Sequence, residues 1–294
     1  MTRQSTSDIS SAPVVPLEEL PLYSPWPARL LGLSHWEKRA RSEEELYREY
    51  EVEFFAKALE RARSQGPDLS FRKWFASQTD STALQPCLTE HGIRLLSPRQ
   101  QLDAFIDVVE DAIAEYLPAP ALCDLGAGTG KLLHCLAERG VTTDTPVLAL
   151  EYSPSARELI RHFARNDGQD IEVHSCNFLH PQITEATIPK GAVLFTSMTL
   201  VCVPLGMQEF IEKLLALQPS MVVHFEPCAD LLRQDNLFHM MCQRYLAMNE
   251  YNGTTHAVVR ELEAQGVLRV QDVRPHVYGS NPLLPLSVVA WKPA

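Results

Sequence analysis

Apolar positions along the chain fall into two textures that change at "LPAPA", residues 117–121. Ahead of it the spacing is helical. Leu46, Tyr50, Phe54 and Ala58 recur four residues apart, behind Ser42 and Glu45 spaced as a capping box. A second aromatic cluster, "FRKWF" at 71–75, and a stretch from about Pro98 to Tyr116 complete a helical front section. Beyond 121, short apolar runs alternate with helical stretches: Ala121–Leu125 then Lys131–Glu138, and Val147–Glu151 then Ser155–Ala164. Ile171–His174 comes next, then Val193–Thr196 with a helix near Gln208–Leu217, and Met221–Glu226 with more helix after it. Such alternation implies parallel strands joined by right-handed crossovers. The last two runs, "VLRVQDVRPHV" and "LPLSVVAW", flank the turn-rich "YGSNPLL" and predict an antiparallel hairpin. The expected fold is α/β, an open parallel sheet with a C-terminal antiparallel hairpin and an N-terminal helical lid. Its expected parts are a disordered tail at 1–19, a helical cap at 20–97 and the sheet domain at 98–294.

Composition narrows the partners. A net charge of −11 over 294 residues argues against a nucleic-acid backbone, whose phosphates need clustered Lys and Arg. No apolar run approaches the roughly 18–20 residues that span a bilayer, and the polar start lacks the apolar core of a secretion signal. The seven cysteines are scattered with no Cys-x-x-Cys pair, neither a disulfide framework nor a zinc pattern. Most sit in apolar runs and are expected to be buried thiols of a cytoplasmic protein. No internal repeat is visible, and an oligomer is compatible with the sequence.

The candidate chemistry lies in "ALCDLGAGTGKLL", residues 121–133. A phosphate-cradling Walker loop needs four residues between its first glycine and Gly-Lys-Ser/Thr. Here three separate Gly126 from Gly130, and Leu132 stands where a hydroxyl is required. The dinucleotide pattern G-x-G-x-x-G fails as well, although Glu151 ends the next strand where a ribose-binding acid is expected. Asp124-Leu-Gly126-Ala-Gly128-Thr-Gly130 resembles the first motif of class I S-adenosylmethionine-dependent methyltransferases, which have a Rossmann-like fold. The resemblance covers about residues 98–294. It implies S-adenosylmethionine as cofactor, with Asp124, Gly126, Gly128 and Gly130 near its methionine and ribose parts. It further implies Glu151 on the ribose hydroxyls, Asn177 on the adenine amine and Phe178 over the ring. Arg99, one helix upstream, is either the holder of the methionine carboxylate or a surface arginine beside a helix start. With no phosphate to bind, Lys131 is expected to be a solvated helix residue.

The acceptor side matches no easily named branch. "TSMTLV" stands after the fourth strand where amino-methylating enzymes carry Asn-Pro-Pro-Tyr, and no carboxylate-rich metal set can be assembled. His224, Glu226, Asn249, Tyr251 and Asn252 are the polar candidates; His224 is either a base or a hydrogen-bonded core residue. The aromatic front section reads as the core of a cap that closes over a small-molecule site. An aromatic lid, an Asn/Tyr-rich stretch and a missing acceptor signature also loosely resemble the azetidine-2-carboxylate synthases. The expectations are three: a small-molecule methyltransferase, a cyclase acting on S-adenosylmethionine alone, or a non-catalytic scaffold that binds it.

Overall fold

The computed structural model describes residues 9–37, 41–78, 82–179, 187–204 and 206–294. Nine strands form one sheet: β1 (Gln85–Thr89), β2 (Gly92–Leu96), β3 (Leu122–Leu125), β4 (Val147–Glu151), β5 (Ile171–Ser175), β6 (Val193–Ser197), β7 (Met221–Glu226), β8 (Leu268–Gly279) and β9 (Leu286–Pro293). Their spatial order is β2-β1-β8-β9-β7-β6-β3-β4-β5. The five strands from β7 to β5 are parallel, as the strand–helix alternation predicts. β9 runs antiparallel between β7 and β8, so the expected terminal hairpin closes the parallel part. The chain leaves β3 towards β4 and β5 and returns to β6 on its other side. The sheet's strand order therefore reverses at β3, where open α/β sheets bind ligands.

Helices α1 (Leu20–Tyr23), α2 (Trp26–Leu30), α3 (Glu43–Tyr47), α4 (Ala56–Ser64) and α5 (Phe71–Gln78) precede the sheet. The others are α6 (Pro98–Ile113), α7 (Lys131–Glu138), α8 (Pro154–Asp167), α9 (Met207–Ala216), α10 (Leu237–Met248) and α11 (Thr255–Ala264). Both faces of the parallel strands are covered, which is why those strands read as unbroken apolar runs. Val147, Ala149, Val193 and Phe195 face Leu102, Phe105 and Leu133 of α6 and α7. Their neighbours Leu148, Leu150 and Leu194 face Phe210 and Ile211 of α9 on the other side.

The front of the chain departs from expectation in three ways. Residues 85–96, placed in the helical cap by their sequence, form the β1–β2 hairpin, and β1 pairs with the end of β8. Its two-residue turn is Glu90-His91 before Gly92, not the Asn-Gly or Asp-Gly that signals a hairpin. Within the expected disordered tail, residues 9–19 are ordered. Val15 N–H donates to Ile93 O, Leu95 N–H donates to Pro13 O, and Val15 is buried. Polar composition hid this segment because the open edge of β2 supplies its hydrogen bonds. Residues 1–8 lie outside the described residues.

Third, the helix running from α3 to α4 is π-helical over Arg48–Phe55. Ser42 caps it by accepting from Glu45 N–H, as predicted. A π-helical stretch takes up an extra residue per turn and so rotates the helix beyond it. Phe55 is therefore buried, while Phe54, the residue chosen by simple four-residue spacing, is 53% exposed. Phe71 and Trp74 of α5 pack with Ala58 and Leu59 against Leu159 and Phe163 of α8, which fixes the front section to the sheet domain.

Candidate functional site

Asp124 near the end of β3 and Glu151 at the end of β4 stand on neighbouring parallel strands in register, Asp124 opposite Ala149. The turn after β3 begins with Gly126 and Ala127, whose N–H groups both donate to Leu150 O, at 2.8 and 3.1 Å. Gly126, Gly128 and Gly130 all have positive φ, at 88°, 56° and 74°. A Cβ on Gly128 comes no nearer than 3.6 Å to the Phe55 ring. A Cβ on Gly126 falls 2.3 Å from the Thr199 side chain, and one on Gly130 falls 3.0 Å from Ile160. Those two glycines serve packing, and Gly130 N-caps α7 rather than lining the cavity.

Glu151 is held by the turn it faces. Its Oε2 accepts from Gly128 N–H and its Oε1 from Ser153 N–H, both at 2.7 Å. Burial raises its pKa, and these N–H groups pull it back. Asp124 is buried with no hydrogen-bond partner at Oδ1, and its pKa is raised well above the usual carboxylate range, by burial first and the Glu151 charge second.

These groups open into a cavity of about 970 Å³, at the upper end of the range for small-molecule sites. The π-helical stretch forms part of its wall through Tyr50, Glu51, Phe54 and Phe55, together with Tyr47, Trp74 and Phe75. Glu51 Oε1 accepts from the Ser155 hydroxyl at 2.7 Å, and its Oε2 accepts from the Ser153 hydroxyl and from Ser155 N–H. Asn177 and Phe178 also line the cavity. Asn177 Nδ2 donates to Glu43 Oε1 and its Oδ1 accepts from Leu179 N–H, both at 2.9 Å. Phe178 packs edge-on against Phe210 at 5.3 Å between ring centres.

Tyr251 lines the cavity beside Tyr50, Tyr245 and Cys202. The Tyr50 hydroxyl donates to Cys202 Sγ at 3.0 Å, and the Arg41 guanidinium stacks over the Tyr251 ring at 4.8 Å. Burial raises the pKa of all three phenols.

Most of the other sequence candidates lie outside the cavity lining. Arg99 is outside the cavity, paired through Nε with Asp103 at 2.8 Å; it faces solvent on the first turn of α6, while Gln101 and Leu102 face inward. His224 lies in the core of β7. Its Nε2 accepts from Trp291 Nε1 at 3.0 Å, its Nδ1 pairs with the Thr196 hydroxyl at 2.9 Å, and burial pushes its pKa down to about 3. Glu226 is buried outside the cavity lining and accepts from the N–H groups of Thr199, Leu200 and Val201, which shapes the turn after β6. Burial pushes its pKa up to about 7. Asn252 turns its side chain to Thr254, and Asn249 caps α10 by donating to Tyr245 O. Lys131, read as a solvated residue, lines the cavity.

Glu43 and Glu51 were missed because a glutamate on an amphipathic helix reads as its wet face. Glu51 carried a signal nonetheless, being spaced four residues from both Tyr47 and Phe55. Among the described residues, no helix is long and apolar enough to cross a membrane.

No family model and no curated protein sequence matches the chain. Similar solved structures include LepI in complex with S-adenosylmethionine, at 15% identity over 63% of this chain and a TM-score of 0.44. The match spans 46% of LepI, under half its length. Another is geranyl diphosphate C-methyltransferase from Streptomyces coelicolor with S-adenosyl-L-homocysteine, at 12% identity, 65% of this chain, 76% of that one and a TM-score of 0.47. A third is the plantazolicin methyltransferase BpumL with the same product, at 11%, 66%, 86% and 0.45.

Proposed function

We propose that the chain is an S-adenosylmethionine-dependent enzyme acting on a small molecule, first of all a methyltransferase. The observation that supports this reading is the pair Asp124 and Glu151, two buried carboxylates on adjacent strand ends in a cavity walled in part by aromatic residues. Glu151 has its N–H donors, but leaving Asp124 Oδ1 buried without one is expensive, as is holding two carboxylates so close. A cationic nucleoside compensates them, and a phosphorylated one does not. Each Glu151 oxygen has a lone pair left after its one N–H bond, which suits the two hydroxyls of a ribose. The orphaned Asp124 Oδ1 is an acceptor in want of a donor, and the cofactor offers several.

When bound, S-adenosylmethionine supplies a sulfonium whose attached carbons are open to nucleophilic attack. The protein's share of the work is placement and exclusion of water. Phe55, Tyr50 and Tyr47 line the cavity, and a ring face met by a desolvated cation is worth about 0.5–2 kcal/mol. Glu43 accepts from the Asn177 amide, the group assigned to the adenine amine in this reading, and so holds it in place. Tyr50, Tyr245 and Tyr251 stay protonated and act as hydrogen-bond partners for an acceptor, not as bases. Calorimetry with S-adenosylmethionine tests the reading: the wild type binds it and Glu151→Ala binds at least about tenfold more weakly. Unaltered affinity in that variant rejects the ribose site.

A second reading is favoured by one observation. Among the described lining residues there is no histidine, and His224 and Glu226 lie elsewhere. In a ring closure within S-adenosylmethionine the α-ammonium loses a proton to solvent, the amine attacks the γ-carbon and that carbon's bond to sulfur breaks, which yields azetidine-2-carboxylate and methylthioadenosine and needs no second substrate. Incubation with the compound alone separates the readings, since a methyltransferase leaves it intact and the cyclase releases both products. Binding without turnover against any metabolite pool would indicate the scaffold.

A further inference from the structure

The cavity follows the strand ends from β4 to β8, five strand spacings or about 24 Å. Its two ends differ in charge. Among the described residues, every charged group of the lining comes from the front helices, β3, β4 or α7. The lining from β6 onward holds none. There β8 bulges, taking four steps from Arg274 to Tyr278 against two on β9, with His276 at a φ of 55°. Bulges of this kind re-aim side chains beside active sites. Tyr278 emerges stacked on Phe105 at 4.6 Å, and both rings line the cavity. Its hydroxyl turns to Cys87, so it offers a ligand its ring. The turn that follows is closed on itself: Leu284 N–H donates to Asn281 O at 2.9 Å and Leu283 N–H to Asn281 Oδ1 at 3.1 Å. With Oδ1 held, Asn281 presents its amide N–H groups, which meet the Tyr245 hydroxyl; that hydroxyl also meets the one on Tyr251. Arg41, over the Tyr251 ring, reaches the Tyr251 hydroxyl as well, and its charge is paired with Glu49 at 3.3 Å. Both phenol oxygens thus have N–H donors beside them. Of the two phenol hydrogens only one can bridge the pair, so an O–H is left over where Tyr245, Tyr251 and Asn281 meet.

We infer that this end binds a neutral, apolar substrate by a carbonyl oxygen, with its body against Tyr278, Leu284 and Leu286. The inference rests on the methyltransferase reading above and names the class of molecule that receives the methyl group. A carbonyl oxygen carries two lone pairs, which the spare O–H and an Asn281 N–H can share. Charge selects against the alternatives. The neighbouring sulfonium repels a cation, and the buried carboxylates Asp124 and Glu226 disfavour an anion.

Three naphthalenes of similar shape test it in protein saturated with S-adenosylhomocysteine: 2-acetonaphthone with a carbonyl, 2-naphthoate with a charge, and 2-ethylnaphthalene with neither. By calorimetry the wild type binds the ketone at least about fivefold more tightly than either of the others. Asn281→Asp keeps the acceptor for Leu283 N–H and loses the amide donors, so it erases the preference over 2-ethylnaphthalene. Tyr251→Phe reduces that preference. Both variants bind 2-ethylnaphthalene as the wild type does, which also shows that they are folded. Equal binding of ketone and hydrocarbon by the wild type overturns the inference, as does tightest binding of the naphthoate, binding of none, or equal weakening of all three by Tyr251→Phe. Failure of S-adenosylhomocysteine to bind overturns the cofactor reading instead, and the same three compounds titrated into the free protein still decide what this end of the cavity takes.

Discussion

The Ser155 hydroxyl at the start of α8 donates to Glu51 Oε1 at 2.7 Å, joining residues 104 positions apart. Ser153 caps the same helix and also donates to Glu51, so one π-helical carboxylate reaches the first turn of the helix that comes after Glu151. The wall of the cavity is thereby fastened to the strand end that carries its acid.

Glu51→Ala leaves two hydroxyls and an N–H without their acceptor, and the variant is expected to lose about 1–3 kcal/mol. The loss belongs to the front section. Hydrogen exchange should rise across 43–64 while β3 and β4 stay protected. Uniform loss of protection would mean that the contact supports the whole fold.

Gly126→Ala places a Cβ against the Thr199 side chain in a backbone conformation with φ of 88°. A destabilisation of about 1–3 kcal/mol or more is expected in denaturant melts. Thr199→Ala removes two of the three contacting atoms, so the double variant should recover part of it. Strict additivity would show that backbone strain alone carries the effect.

The buried His224 gives a signed pH dependence. Its ordinary pKa of 6.5 falls to about 3 in the fold. Between those values the unfolded chain holds a proton that the native state does not, so stability is lost as pH falls, at about 1.4 kcal/mol per unit. Glu226, raised from 4.5 to about 7, has the opposite slope: its native proton favours the fold at low pH, and that advantage fades as pH rises through 7. The two oppose each other between 4.5 and 6.5. His224→Gln removes only the first. Its stability deficit against the wild type should shrink as pH drops below 6.5, and a deficit independent of pH would refute the assignment.

All seven cysteines are free, and burial raises every one of their pKa values, with Cys202 at about 11. The five buried thiols, Cys87, Cys123, Cys176, Cys228 and Cys242, should react with a thiol reagent at about pH 7.5 only as slowly as the fold opens, half-buried Cys135 and Cys202 should label ahead of them, and seven equivalents should appear at once in denaturant. Rapid labelling of any of those five in the native state contradicts their burial.

The parallel half of the sheet was legible because strands covered on both faces write themselves as apolar runs, and Glu151 could be placed by its distance from the glycine turn. The hairpin at 85–96 was not, since Glu90-His91 is an atypical turn and Pro86 reads against a strand. Chemistry was harder to see than fold. Lys131 and Arg99 sit on equivalent first turns of α7 and α6, and only packing decides that the lysine faces the cavity and the arginine faces water. His224 and Glu226 were found as polar residues in an apolar strand, which marks hydrogen bonding within the core as readily as a site.

The hairpin at 85–96 and the ordered stretch at 9–19 have a consequence for how the protein is divided. The hairpin covers the end of β8, the ordered stretch covers the hairpin's own outer strand, and the chain between them builds the aromatic wall. A fragment starting at residue 98 would expose a strand edge of the kind that templates aggregation. The aromatic part of the cavity wall and the cover over the end of β8 thus belong to one stretch of chain, and a cut at residue 98 removes both.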